Sequence, residues 1–327
     1  MNIAIFIVGI IGLAISYKIL YNKKHEINVC PIGSNCKKVL DSKHNNFLGI
    51  PNEINGLMYY GIIVITYGIT LLEFEPLPSL KAFLLIIAAG AFIFSIYLTL
   101  IQGFQLKNWC TWCLGSAVSS TIIFILTLLY IIPYMDGILD FLITQRNTLS
   151  AVYSLGIALG LGSITTLYFL LYRFLNDFKL TKKEKDVFHY ITQIVWFGLI
   201  MILLAGLGLF FIEKPSPISD FRTIIIILLV LIEGIITLFI IPHLSKLSVR
   251  RKVLSEKLWS WRNAVLAIGA MSIFSWYTLF ISDYLSPLKF SLEELLFLYT
   301  GFIITSILAS QILEAKDTNV YLSEQKK

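Results

Sequence analysis

The sequence predicts an all-α, polytopic integral membrane protein, and three observations carry that reading. Hydrophobic residues make up 57% of the 327 positions, and charged residues only 14%, against roughly 25% in a soluble domain. Mean hydropathy is +0.80. Several apolar runs reach the roughly 20 residues that a helix needs to cross a bilayer. The spans are helices because an open sheet edge leaves its backbone unsatisfied in lipid, and the alternating ten-residue segments of a membrane barrel are absent. The net charge of +6 suits anionic lipid headgroups. With no basic patch interleaved with aromatics, nothing points to nucleic acid.

Nine spans are expected, at about residues 2–21, 56–74, 81–103, 110–132, 151–175, 189–212, 221–241, 263–284 and 290–313. The first, "MNIAIFIVGIIGLAISYKILY", has no basic leader and no small-residue cleavage site, so it is expected to be a retained helix. Lys18 would snorkel to the interface near its end. Breakers punctuate the linkers "EFEPLPSLK", "EKPSPISD" and "ISDYLSPLKFS". One linker differs in kind: residues 22–55 form a long polar segment carrying two cysteines, and loops of that length are usually functional or disordered. The chain divides near 133–150, into a cysteine-bearing first domain (1–135) and a cysteine-free helical membrane domain (136–327).

All four cysteines form local pairs at a membrane edge: Cys30 and Cys36 in the long loop, Cys110 and Cys113 in "NWCTWCLGS" at the start of the fourth span. A Cys-x-x-Cys at a helix N-terminus has a physical use. The unpaired amides and positive end of the helix stabilise a thiolate, and the thiolate is the attacking species in thiol–disulfide exchange. Trp109 and Trp112 fit an interfacial aromatic belt. The alternatives are a tetrahedral zinc site made by all four sulfurs, which the Cys30-x₅-Cys36 spacing fits poorly, and a static disulfide. Redox exchange between the pairs needs an electron sink, and at this location a lipid-soluble quinone is the natural one.

The residues "VCPIGSNCKKVLDSKHNNFLGIPNEINGLMYYG" and "SIYLTLIQGFQLKNWCTWCLGS" together resemble the vitamin K epoxide reductase family in its bacterial form, over residues 1 to about 132. The resemblance implies a four-helix bundle that holds a quinone (ubiquinone or menaquinone) beside the Cys-x-x-Cys. It implies that Cys30 and Cys36 exchange with a thioredoxin-like or DsbA-like protein. Cys36 then passes the disulfide to Cys110, and Cys113 faces the quinone. Ser42 matches a family serine tied to the loop and active site. Asn52 matches a family asparagine that hydrogen-bonds the quinone carbonyl, although a helix cap is the alternative. Where animal members carry a quinone-contacting tyrosine this chain has Ala117, which favours plain quinone reduction over reduction of vitamin K epoxide. No fused thioredoxin-like domain follows, so the thiol partner is expected to be a separate protein.

About five further spans are expected in the second domain. His189 and His243 lie near helix ends beside charges and read as interfacial rather than as haem ligands. Glu233 in "LLVLIEGIITLF" lies mid-span, where an acid is either a functional group, as in a transporter, or a helix–helix hydrogen-bonding partner. The positive loops 179–185 and 246–252 belong in the cytoplasm, and even alternation from there would place the cysteines there too. The resemblance, and the persistence of disulfides outside, instead put the cysteine loop on the extracytoplasmic face of the cell membrane. A further crossing or re-entrant segment within 131–147 would reconcile the two.

Overall fold

The computed structural model describes residues 1–25, 30, 36–72, 76–177, 182–242, 256–282, 284 and 290–325. His243 and the 246–252 loop lie outside the described residues, as do residues 179–181 of the 179–185 loop. The chain divides into two compact units, Met1–Leu149 and Ser150–Lys327.

The first unit is a four-helix bundle of α1 (Asn2–Lys24), α3 (Asn52–Thr70), α4 (Pro78–Leu100) and α5 (Thr111–Ile131). Between α1 and α3 lie the short helix α2 (Cys36–Leu40), a 3₁₀ turn (Lys43–Asn45) and a small hairpin of β1 (Asn46–Phe47) with β2 (Ile50–Pro51). The central hairpin residues, Leu48 and Gly49, both have positive φ, at 51° and 84°. Two positive φ values in a two-residue loop are the pattern of a type I′ turn, which matches the twist of the flanking strands.

Helix α1 buries Ile5, Gly9, Gly12, Ser16 and Ile19, a stripe with spacings of four and three that keeps one face toward the bundle. The small residues in that stripe let the backbones of α1 and α3 approach. A Cβ on Gly12 would overlap the Tyr60 ring, and one on Gly56 would lie 2.7 Å from Ser16 Oγ. The core joins Ile5, Tyr60, Ile63, Tyr67, Leu84, Ala88 and Ile123. Polar ties cross it: Tyr60 Oη donates to the Ser116 carbonyl at 2.6 Å, and the Tyr67 and Thr127 hydroxyls pair at 3.2 Å. Rings of Phe92 and Phe124 stack between α4 and α5 at 4.9 Å.

Alternation puts the C-terminal ends of α1 and α4 with the N-terminal ends of α3 and α5, which makes this end the cysteine end. At the other end, Lys81 is 4% exposed and its Nζ sits 3.2 Å from the Tyr134 ring centroid, a cation–π contact that compensates a buried ammonium. There the chain continues into α6 (Met135–Thr144), which buries Ile138 and Leu142 and leaves Asp136 and Asp140 exposed. Its 10 residues rise about 15 Å, half of the ~30 Å hydrocarbon thickness, so this helix makes no full crossing.

Among the described residues eight helical stretches are long and apolar enough to cross a membrane, and the protein is a multi-pass membrane protein. The expected span at 56–74 is α3, whose polar first turn (Asn52, Glu53, Asn55) keeps it outside that set. Its 19 residues rise about 28 Å, close to the hydrocarbon thickness.

Five of the eight belong to the second unit: α7 (Arg146–Asp177), α8 (Lys182–Ile212), α9 (Pro217–Ile235), α10 (Glu256–Ser282) and α11 (Leu292–Gln325). A Cβ on Gly198 would lie 2.8 Å from the Gly156 carbonyl oxygen, and one on Gly160 would overlap the Trp276 ring. These glycines therefore set the approach of α8 and α10 to α7. Ser216 and Ser219 form a capping box at the start of α9.

Candidate functional site

The cysteine end is assembled by local geometry around a break in α4. That helix passes into a π-helical segment, Ile101–Leu106, and closes at Lys107 in the left-handed region with φ 49°. Such bulges recur at functional sites because they re-aim side chains out of α register. Here the wide turn frees Gln102, which is buried. Its side-chain Oε1 accepts from the Cys110 amide at 3.1 Å, and its carbonyl accepts from the Asn108 amide at 3.2 Å. A Cβ on Gly103 would lie 3.1 Å from the Trp109 ring, so the indole folds back over the bulge. Trp109 is half exposed, whereas Trp112 packs on the cysteine cluster.

Cys110 is the N-cap of α5, and its sulfur accepts from the Cys113 amide at 3.3 Å. Cys113 Sγ donates to Cys110 Sγ at 2.7 Å. The Cys113 thiol and then the amides of Cys113 and Trp112 hold the Cys110 thiol below the ordinary cysteine range, against the opposing effect of burial. A depressed folded value stabilises the reduced protein above the unfolded thiol pKa of about 8.5; that stabilisation disappears as pH falls through the lower folded value. Reduced wild type should therefore lose thermal stability relative to Cys110→Ala as pH is lowered from 9 through that range, and a parallel pair of pH curves would refute the shift.

Cys30 and Cys36 form a disulfide with Cα atoms 5.8 Å apart. Cys36, Val39 and Cys110 make one buried cluster, against which Cys30, Cys113 and Trp112 pack. Cys30 Sγ lies 4.0 Å from Thr111 Oγ1 at the first residue of α5. Loop pair and helix pair, 74 residues apart in sequence between Cys36 and Cys110, thus share one apolar pocket of sulfur. A Cys₄ zinc site would need four thiolates, and two of these sulfurs are bonded to each other. Among the described residues no three His, Cys, Asp or Glu side chains converge on a metal position.

Beside the cluster lies a cavity whose wall includes Ser42, Asn52, Glu53, Cys113, Ser116 and Ala117. Ser42 Oγ donates to the Val39 carbonyl at 2.6 Å and so closes α2. Asn52 is the first residue of α3 and makes no cap. Its Nδ2 donates to the His44 carbonyl at 3.0 Å, and its Oδ1 is buried without a partner. Beside Ala117, the hydroxyl on the α5 wall is that of Ser116.

Sequence reasoning missed Glu53 and Gln102. Glu53 is 4% exposed; its Oε1 pairs with Lys23 Nζ at 2.6 Å and its Oε2 accepts from Asn45 Nδ2 at 3.0 Å. An acid in the first turn of a helix normally reads as a partner for the helix dipole, which hid the cavity-lining role. Gln102 gave no signal, because nothing in the local pattern announces a π-helical turn.

In the second unit Glu233 is 1% exposed. It accepts from Ser272 Oγ and, at 3.2 Å, from Trp276 Nε1, so it ties α9 to α10. His189 pairs with Gln193 one turn along α8 at 3.1 Å.

No curated protein and no solved structure matches the chain. Residues 3–128, most of the first unit, match the vitamin K epoxide reductase family, whose members are generally quinone-linked. With two cysteine pairs brought together at one end of a membrane-embedded four-helix bundle, the first unit is similar to the vitamin K epoxide reductase family over residues 3–128, less than half of the chain.

Proposed function

We propose that the protein is a thiol oxidase that forms disulfides in a separate thioredoxin-like protein and passes the electrons through its two cysteine pairs to a membrane quinone. The observation that carries this reading is the shared cluster of Cys36 and Cys110 beside a cavity that Cys113 lines. Cys30, the more exposed member of the loop pair, meets the partner's thiol; Cys36 exchanges with Cys110; Cys113 stands at the cavity. The cysteine loop lies on the extracytoplasmic side, where a disulfide donor is recharged.

A quinone ring would sit in the cavity beside Cys113. Asn52 would hold the ring oxygen: one Nδ2 hydrogen is committed to His44, leaving the other for a carbonyl and the orphan Oδ1 for a hydroxyl. Ser42 keeps α2, and with it Cys36, against the cavity. When bound, a quinone supplies the two-electron sink. Gln102 fixes the Cys110 amide, and the N-terminus of α5 favours charge on sulfur.

The test is anaerobic. Protein reduced at Cys110 and Cys113 is mixed with a short-chain quinone, and the thiols are counted by alkylation. Both thiols should be lost together, with one quinone reduced per protein. Thiols that survive while quinone is unchanged would sink the reading. Tethered phosphatase reporters at residue 45 should be active if the loop faces outward.

A further inference from the structure

The relay proposed above leaves one proton to be found at the cavity. Cys110 Sγ accepts both the Cys113 amide and the Cys113 thiol, two donors that favour a thiolate at Cys110 beside a thiol at Cys113. Closing the Cys110–Cys113 disulfide from that form releases two electrons and one proton. Two-electron reduction of a quinone to a hydroquinone consumes two electrons and two protons. The second proton therefore has to come from a group other than the cysteine pair.

Three titratable side chains line the cavity: Cys113, His44 and Glu53. Cys113 already supplies the first proton. Glu53 has a path outward, since its Oε1 is 2.6 Å from Lys23 Nζ, and the Lys23 side chain is 33% exposed while that of Glu53 is 1% exposed. Its other oxygen is occupied by Asn45, a neutral donor. The carboxylate thus joins solvent, through one ammonium, to the wall on which Cys113 and Asn52 stand.

We propose that Glu53, recharged through Lys23, delivers the second proton to the quinone oxygen. Lys23 passes a proton to the Glu53 carboxylate, Glu53 hands one on at the cavity, and water returns one to Lys23. The sum is one thiolate, one thiol, one quinone and one solvent proton giving one disulfide and one hydroquinone. This inference rests on the quinone reading, and the experiment separates the two.

Full-length protein in lipid nanodiscs, with the Cys110–Cys113 pair reduced, is mixed with a short-chain quinone. Thiol oxidation is followed at pH 8, and proton uptake is followed with an indicator dye. Infrared difference spectra on quinone reduction report carboxyl protonation directly, and quenching of tryptophan fluorescence gives the quinone Kd. Glu53→Gln should slow oxidation about 10²-fold, abolish the carboxyl signal and leave Kd within about threefold of wild type. Glu53→Asp should restore most of the rate, and Lys23→Met should slow it in a way that added permeant weak acid relieves.

Wild-type rates in Glu53→Gln, or a slow step that appears in His44→Gln instead, would overturn the proposal while leaving the relay standing. Failure of wild type itself to oxidise the pair would instead remove the quinone reading. If Glu53→Gln does not fold because Lys23 loses its partner, the wild-type infrared spectrum decides, and absence of a carboxyl change overturns the proposal.

Discussion

Cys113→Ala stops quinone reduction and leaves Cys36 bridged to Cys110. With no thiol at position 113, the helix pair cannot form the disulfide that Cys36 attacks, and Cys110 can only equilibrate with the loop disulfide as a Cys36–Cys110 bridge beside a free Cys30. Turnover with a thiol protein and quinone should fall on the order of 10³-fold or more, since removing one member of a unit that acts together costs nearly the whole effect. Non-reducing peptide mapping should find a Cys36–Cys110 crosslink and a free Cys30. The shared cluster supports this outcome, because Cys36 and Cys110 pack on the same residues. The depressed Cys110 thiol favours the thiolate that enters this bridge. Quinone reduction by Cys113→Ala at the wild-type rate would contradict the electron path.

Gly12→Val should destabilise the first unit by about 2–6 kcal/mol. Overpacking a tight helix contact costs about 1–3 kcal/mol, and displacing Tyr60 breaks its bond to Ser116, stranding a buried hydroxyl at about 1–3 kcal/mol more. The Tyr60 ring occupies the space that any Cβ at position 12 would need. Ser116 also lines the cavity, so the same substitution should weaken quinone binding. Thermal unfolding in a fixed detergent measures the first effect, and Gly12→Ala with Tyr60→Leu should recover much of it through coupling. A Gly12→Val protein as stable as wild type would mean that α1 and α3 do not meet here.

Hydropathy and breakers were enough to place the spans, since a helix in lipid must be long, apolar and closed in its hydrogen bonding. The same logic misjudged α3 only in degree, because Asn52, Glu53 and Asn55 put three polar groups in its first turn. Segment 131–147 is expected to hold a further crossing or a re-entrant segment; its helix, α6, has 10 residues, half the length of a full crossing. Local pairing of the cysteines and the helix-opening Cys-x-x-Cys were legible because their chemistry depends on short spacing.

What sequence by itself determined about this protein is its class and the family likeness of its first unit: membrane helices follow from one-dimensional hydrophobicity, and the likeness from ordered motifs over residues 3–128. Tertiary structure alone decided which side chains share the cavity. Glu53 meets Lys23 across 30 positions and Cys36 packs with Cys110 across 74, distances at which no local pattern carries information. The π-helical turn that aims Gln102 at the Cys110 amide belongs to the same category. Its hydrogen bonds become favourable only once Cys110 and the α5 terminus are in place to receive them.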